Sequence, residues 1–102
     1  MYKDSLQTAV SHVKQQYSNA RIILFGSNAK GTDSEESDID LCIVIDKPSE
    51  RLRDISRKIR REIYPILNKP IDLFVYDKQT FDDRASLPVT MEAEITENGK
   101  EL

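Results

Sequence analysis

The sequence predicts a small α/β sandwich, in which helices pack on one face of a three-stranded mixed sheet. Apolar side chains recur at every third or fourth position in several segments, which is typical of helices. Three short, strongly apolar runs end at glycine, lysine or aspartate, which is typical of buried strands. A chain of 102 residues buries one modest core, so we expect a single domain spanning residues 1–102.

The order of the predicted elements is helix, strand, strand, helix, strand, helix, helix. Ser49 is expected to cap the second helix, and Pro65 to kink or end it. Pro88 suits the first turn of the last helix, and Asn98-Gly99 suits its end. The predicted helices span residues 4–17, 49–64, 78–85 and 88–97, and the predicted strands span residues 21–25, 38–46 and 71–76.

Charge and composition narrow the functional classes. The formal net charge is −3, although residues 47–69 hold 8 of the 15 basic residues. An acidic chain is not expected to have nucleic acid as its main partner. The basic helix face is interpreted as a solvated surface, with docking of an acidic partner or RNA as the alternative.

Cysteine usage and hydropathy indicate a soluble, cytoplasmic protein. Cys42 is the only cysteine, which excludes an internal disulfide and a cysteine-rich zinc site. No apolar run approaches the length of a membrane span, and no apolar signal core follows the first residues.

Three aspartates are the candidate metal ligands. Because side chains alternate along a strand, Asp38 and Asp40 share one face of the second strand, and Asp72 lies on one face of the third. If these strands are neighbours, the carboxylates converge, and hard oxygen donors of this kind bind Mg²⁺ or Mn²⁺. Solvated carboxylates at strand ends are the alternative, but two acids in an apolar strand fit it poorly.

Gly26-Ser27 follows the first strand and is a candidate phosphate-binding turn. Glycine lets the backbone approach a ligand closely, and backbone N–H groups with the serine hydroxyl can hold an anion. A simple turn is the alternative interpretation. Together with the carboxylates, this turn suits phosphoryl or nucleotidyl transfer.

Gly26-Ser27, ten intervening residues and Asp38-Ile39-Asp40 together resemble the signature of nucleotidyltransferases of the DNA polymerase β superfamily. The wider sequence, from Leu24 to Gly31 and from Ser37 to Leu41, resembles the stand-alone minimal nucleotidyltransferases (MNT). Ile71-Asp72-Leu73 matches the third acid of that family. The resemblance extends over nearly the whole chain and implies the palm-like nucleotidyltransferase fold.

The resemblance also implies roles for the candidate residues. Asp38 and Asp40 would bind two Mg²⁺ ions, or Mn²⁺, that hold the triphosphate of ATP, and Asp72 would complete the second metal site and help deprotonate the acceptor hydroxyl. Gly26 and Ser27 would hold the β- and γ-phosphates. Lys30 stands where the family usually has arginine, so it keeps the charge but lacks the planar fork for phosphate.

Relatives of this short type are often encoded with a HEPN-domain toxin, and some transfer AMP to a tyrosine of that toxin. The resemblance therefore implies an antitoxin that is a protein adenylyltransferase. Two alternatives remain: a non-catalytic module that masks the toxin, and a small-molecule nucleotidyltransferase, against which the short length argues.

Other side chains receive structural interpretations. His12 is expected at the surface or at a packing edge, and Cys42 in the core as a small hydrophobe. Phe74 and Tyr76 alternate with the apolar residues of their strand and so lie on the same face as Asp72. There they either stack on a base or pack against the final helix. Apolar surface left on this face is expected to bind a partner protein or another copy of the chain.

Overall fold

The computed structural model describes residues 2–26 and 38–102, with side chains from residue 4 onward. No helix among these residues combines the length and hydropathy of a membrane span. In chain order the elements are α1 (Tyr2–Gln16), β1 (Arg21–Phe25), β2 (Ile39–Ile45), α2 (Leu52–Leu67), β3 (Ile71–Asp77), α3 (Lys78–Ala85), α4 (Met91–Asn98) and β4 (Lys100–Glu101).

The sheet is mixed and has the strand order β3-β2-β1-β4. β1 runs antiparallel to β2 and β4, whereas β2 and β3 are parallel and are connected through α2. The predicted α/β class is confirmed, but the predicted count of three strands is wrong. β4 is only two residues long, which is too short to show the alternation by which strands are recognised.

The main core lies between one face of the sheet and the pair α1 and α2. Alternate residues of β2 point into it, as predicted, because the pleat sends every second side chain to the same face. α2 presents an apolar stripe at helical spacing to the same core. Its buried contributors from β2 and α2 are Ile39, Leu41, Ile43, Ile45, Ile55, Ile59, Ile63 and Leu67.

A smaller core lies on the opposite face, under α3 and α4. Phe81 of α3 and Ile95 of α4 pack there against Ile23, Cys42 and Val44. The prediction that helices pack on one face only is therefore wrong. Each of these helices has eight residues and buries one large apolar side chain, so its sequence shows no stripe that indicates a face.

The ends of α2 differ from their prediction. The residue before the helix is Arg51, in extended backbone without a side-chain capping bond, so Ser49 is not the cap. Pro65 lies inside the last turn and does not end the helix, which continues to Leu67. Leu67 is buried in the main core and Asn68 donates its backbone N–H to the Tyr64 carbonyl, so packing and a left-handed cap hold the turn beyond the proline.

The start of α4 lies three residues later than predicted, so Pro88 is not in its first turn. Thr90 caps the helix by accepting the Ala93 N–H at 3.0 Å. Val89, just before this cap, has φ of 61°, a left-handed conformation that strains a β-branched residue. The predicted stop at Asn98-Gly99 is confirmed.

We predict that Val89→Gly raises the free energy of unfolding by about 0.5–1 kcal/mol, because glycine adopts positive φ without the steric cost. Urea unfolding monitored by circular dichroism would measure the change. Leu87→Gly is the matched control: Leu87 is exposed, lies two residues away and has no positive φ, so this change should lower stability by about 0.5–1 kcal/mol. Equal losses for both variants would contradict the strain at Val89.

Candidate active site

The parallel register of β2 and β3 places Asp40 directly beside Asp72. Both residues are in phase with Cys42 and Val44, which face the smaller core, so the two carboxylates lie on the face opposite the main core. Neighbouring strands are about 4.8 Å apart, which brings side chains in register into contact. The condition that the second and third strands be neighbours is thus met, and two of the three candidate acids meet there.

Asp40 has an unusual electrostatic environment. Burial, a side-chain hydrogen bond with Asp72, and the negative charges of Asp72 and Asp38 together raise the pKa of Asp40 to about 6. A hydrogen bond between two carboxyl groups requires that one of them carries a proton. The pair therefore holds a proton at pH values at which ordinary aspartates have lost theirs.

Asp38 immediately precedes β2 and is exposed. It acts on Asp40 through its charge, as the smallest of the contributions to the raised pKa. Within residues 2–26 and 38–102, no three histidine, cysteine or acidic side chains are close enough to form a metal site by themselves. The described site thus consists of the Asp40–Asp72 pair with Asp38 at its edge.

Gly26 directly follows β1 and lies beside Asp40, whose backbone pairs with Phe25. Its φ is +75°, a conformation that L side chains rarely adopt. A Cβ at this position would collide with the Asp40 carboxylate. Glycine is therefore needed here both for the bend and for the space that Asp40 occupies. Ser27 and Lys30, the other predicted phosphate-binding residues, lie outside the described residues.

Aromatic side chains flank the carboxylates on the same face. Phe25 and Phe74 are in contact, with ring centroids 5.7 Å apart. The rings of Tyr76 and Phe81 form an edge-to-face contact with their centroids 5.3 Å apart. Tyr76 therefore packs against α3 and is not available to stack on a base. Cys42 is fully buried, as predicted, and burial raises the pKa of its thiol to about 12, which leaves it unreactive.

Glu92 on α4 is a buried acid that the sequence analysis did not single out. It is only 3% exposed, and it accepts hydrogen bonds from the Tyr76 hydroxyl at 2.5 Å and from Arg84 Nε at 3.0 Å. Burial raises the pKa of Glu92, but the bonds from Tyr76, its own backbone N–H and Arg84 outweigh it and hold the pKa below its usual value. The sequence contained one signal of this burial: Glu92 lies three residues before the apolar Ile95, and residues three apart share a helix face, so Glu92 lies on the inward side of α4.

The hydrogen bonds of the buried Glu92 carboxylate join the last two helices to the sheet on the carboxylate face. Arg84 belongs to α3, Glu92 to α4 and Tyr76 to β3, so one carboxylate joins three elements. Tyr76 lies on the same strand and face as Asp72. The network therefore ties α3 and α4 to the strand that carries one of the paired acids.

His12 lies on the other side of the molecule, between α1 and α2. Its Nε2 is 3.3 Å from Glu62 Oε1 and 3.2 Å from the Gln16 amide nitrogen. The side chain is partly exposed at this seam, which agrees with the predicted packing role.

Residues 6–100 match the family described as the nucleotidyltransferase domain. The chain belongs to this family. Among curated proteins, no sequence matches the chain significantly. The match includes both paired aspartates and Gly26.

Solved structures with the same fold agree with this assignment. A chain from a crystal structure of a toxin–antitoxin with AMP-PNP superposes with a TM-score of 0.64 at 20% identity, covering 92% of this chain and 69% of that one. A proposed nucleotidyltransferase from Sulfolobus solfataricus gives a TM-score of 0.57 at 22% identity, covering 78% of this chain and 70% of that one. At these identities the similarity shows the fold of this nucleotidyltransferase domain.

The donor set of the site fits a divalent cation of the magnesium type. Its described donors are carboxylate oxygens, which Mg²⁺ and Mn²⁺ prefer to nitrogen or sulfur. Asp38 and Asp72 are exposed, so a phosphate-bound ion can reach them from solvent. A cation would also relieve the repulsion that raises the pKa of Asp40.

We predict that Asp40→Asn stabilises the metal-free chain at neutral pH. The folded pKa of Asp40 lies above the unfolded value of 3.8, so stability falls as pH rises from about 4 to about 6, where the folded carboxyl loses its proton. Asparagine has no proton to lose and so removes this pH-dependent loss. After allowance for solvent screening, we expect the free energy of unfolding of Asp40→Asn to exceed that of the wild-type chain by about 1–2 kcal/mol at pH 7 and by little at pH 4.

Urea unfolding in EDTA at both pH values would test this prediction. Asp83→Asn, which removes an exposed carboxylate on α3, is the control and should show no such pH-dependent gain. With excess Mg²⁺ and ATP the wild-type chain should become more stable than Asp40→Asn, because only the wild-type chain gains stability from the ion. If Asp40→Asn differed from the wild-type chain in stability by the same amount at pH 4 and pH 7, the gain would not come from the ionisation of Asp40.

We predict that Gly26→Ala lowers the free energy of unfolding by about 1–2 kcal/mol and weakens Mn²⁺–ATP binding, because the new methyl displaces the Asp40 carboxylate. Gly99→Ala is the matched control, since its Cβ would meet Ile23 and the Ile95 carbonyl instead of a carboxylate. Calorimetric titration should show a loss of affinity for Gly26→Ala alone. Equal losses of Mn²⁺–ATP affinity in the two variants would refute the contact with Asp40.

Proposed function

We propose that this domain is a metal-dependent nucleotidyltransferase that moves AMP from ATP to a hydroxyl of a partner protein. The observation that carries the proposal is the in-register pair Asp40 and Asp72 beside the Gly26 bend, in a chain of the nucleotidyltransferase domain family. The toxin–antitoxin structure with AMP-PNP supports a role as antitoxin. We further propose that the partner is a HEPN toxin, that the acceptor is one of its tyrosines, and that the pair acts in the cytoplasm.

Each site residue has a proposed role. Asp38, Asp40 and Asp72 hold two Mg²⁺ ions, which when bound would neutralise the triphosphate and stabilise the charge that develops during transfer. Gly26 keeps the bend open beside Asp40, and Ser27 and Lys30 contact the phosphates. Asp72, the exposed member of the pair, takes the proton of the acceptor hydroxyl.

The proposed reaction is a single displacement at phosphorus. The acceptor oxygen forms a bond to the α-phosphorus, and the bond from that phosphorus to the pyrophosphate oxygen breaks. The hydroxyl proton passes to Asp72, and pyrophosphate leaves with the electron pair of the broken bond. The products are an adenylylated protein and pyrophosphate.

A non-catalytic antitoxin is the second candidate function. Three of the four large apolar side chains that are exposed among the described residues lie within residues 87–91, beside the carboxylate face. Such a patch suits a module that silences a toxin by covering it. In that case the carboxylates would contribute nothing to neutralisation.

We predict that label from α-³²P-ATP, but not from γ-³²P-ATP, appears on the protein encoded in the adjacent reading frame when the two are incubated with Mg²⁺. Asp38→Asn combined with Asp40→Asn should reduce transfer at least about 100-fold, because the metal-borne charge stabilisation is worth several kcal/mol. Asp46→Asn, an exposed acid at the other end of β2, is the control and should retain transfer.

Toxin neutralisation in cells separates the two functions. The double variant should fail to neutralise the toxin if transfer is the mechanism. Neutralisation by a double variant that transfers no label would support the masking module and overturn the enzymatic proposal.

A further inference from the structure

Residues 87–91, between the end of α3 and the first residue of α4, hold three of the four large apolar side chains that are exposed among the described residues. Leu87 is 53% exposed, Val89 is fully exposed and Met91 is 41% exposed; the fourth such side chain in the described part of the chain is Tyr64 on α2. Isolated exposed apolar residues are ordinary, but three within five residues form a patch. We call residues 87–91 the apolar segment.

The apolar segment is held in a defined conformation. The Thr90 hydroxyl lies 2.9 Å from the Arg84 carbonyl and 3.1 Å from the Leu87 carbonyl, and it also caps α4. Leu87 donates its backbone N–H to the Arg84 carbonyl at 3.1 Å. These bonds hold Val89 in its left-handed conformation with its side chain in solvent, and this conformation lowers the stability of the fold.

Two neighbouring clefts lie along α4 between the apolar segment and Gly26. A cleft of about 370 Å³ extends from Val89 along α4, and a second of about 120 Å³ reaches Phe25 and Gly26. The two clefts share Met91, Glu94 and Asn98 in their walls, so they are neighbours, and we call the two together the groove along α4. Its inner end is Gly26, which borders the Asp40 carboxylate.

The charge around the groove is negative. Among the described residues, no lysine or arginine lines either cleft. Glu94 and Glu97 line the outer cleft. A protein surface that fits this groove therefore presents apolar side chains bordered by lysine or arginine.

We propose that the apolar segment and the groove along α4 are the docking surface for the acceptor protein, which presents an apolar, basic-flanked segment and so directs its hydroxyl toward Gly26 and Asp40. This inference rests on the proposed function, because it names the surface that brings the acceptor to that site. The acceptor is favoured as occupant because Gly26, which borders the Asp40 carboxylate, lines the inner cleft, and because the acids of the groove suit a basic-flanked segment.

The test measures binding and transfer separately, with the protein encoded in the adjacent reading frame as the probe. Val89→Gly and Leu87→Ser should each weaken its binding at least about 10-fold by calorimetry, which corresponds to about 1.4 kcal/mol. KM for the partner should rise by a similar factor, while kcat and Mg²⁺–ATP affinity remain unchanged. Because Val89→Gly is expected to stabilise the fold, weaker binding by this variant cannot result from unfolding.

Tyr64→Ser is the matched control, because it removes a similarly exposed apolar side chain from α2, outside the apolar segment. It should leave binding and KM unchanged. Glu97→Lys should weaken binding, and added salt should reduce the difference between this variant and the wild-type chain.

Three results would overturn the docking surface: unchanged partner binding in Val89→Gly and Leu87→Ser, equal weakening by Tyr64→Ser, or light scattering that shows these variants to disrupt only a self-associated form of the chain. Failure of the proposed function has a different outcome. Binding that is sensitive to Val89→Gly without any transfer of label would refute the enzyme and retain the docking surface.

Discussion

The register between β2 and β3, which apolar burial maintains, is the constraint on which the candidate site depends. The parallel ladder of β2 and β3 holds the two residues in register, so the carboxyl groups cannot separate by moving along the sheet. A shift of one residue would turn the apolar positions of β2 out of the main core. Burial of apolar side chains therefore maintains a contact that electrostatics opposes, and the pair responds by retaining a proton.

The two faces of the sheet divide stability from function. The main core under α1 and α2 contains the long apolar stripe of α2 and most of the buried aliphatic side chains. The opposite face contains a smaller core, the paired acids and the Gly26 bend. Hydrogen bonds from Tyr76 and Arg84 to Glu92 hold the two short helices on this second face. On the first face, burial of apolar side chains holds the helices.

The success of prediction depended on the length of the sequence pattern. The alternation Asp40, Cys42, Val44 against Leu41, Ile43, Ile45 extends over seven residues of β2, and it predicted both faces of that strand. The end of α2 was missed because burial of Leu67 outweighs the local effect of Pro65. β4 and the placement of α3 and α4 were missed because each element is too short for a periodic signal.

The sequence by itself determined which residues are chemically suited to a site and which face of each strand they occupy, because the period of a strand and the conformational demands of glycine are local properties. Only the tertiary structure decided that Asp40 lies beside Asp72, that Gly26 leaves room for the Asp40 carboxylate, and that Glu92 is buried. These facts depend on strand order, register and helix docking, which arise from contacts between residues distant in the chain. A local sequence pattern does not specify which distant residues come into contact.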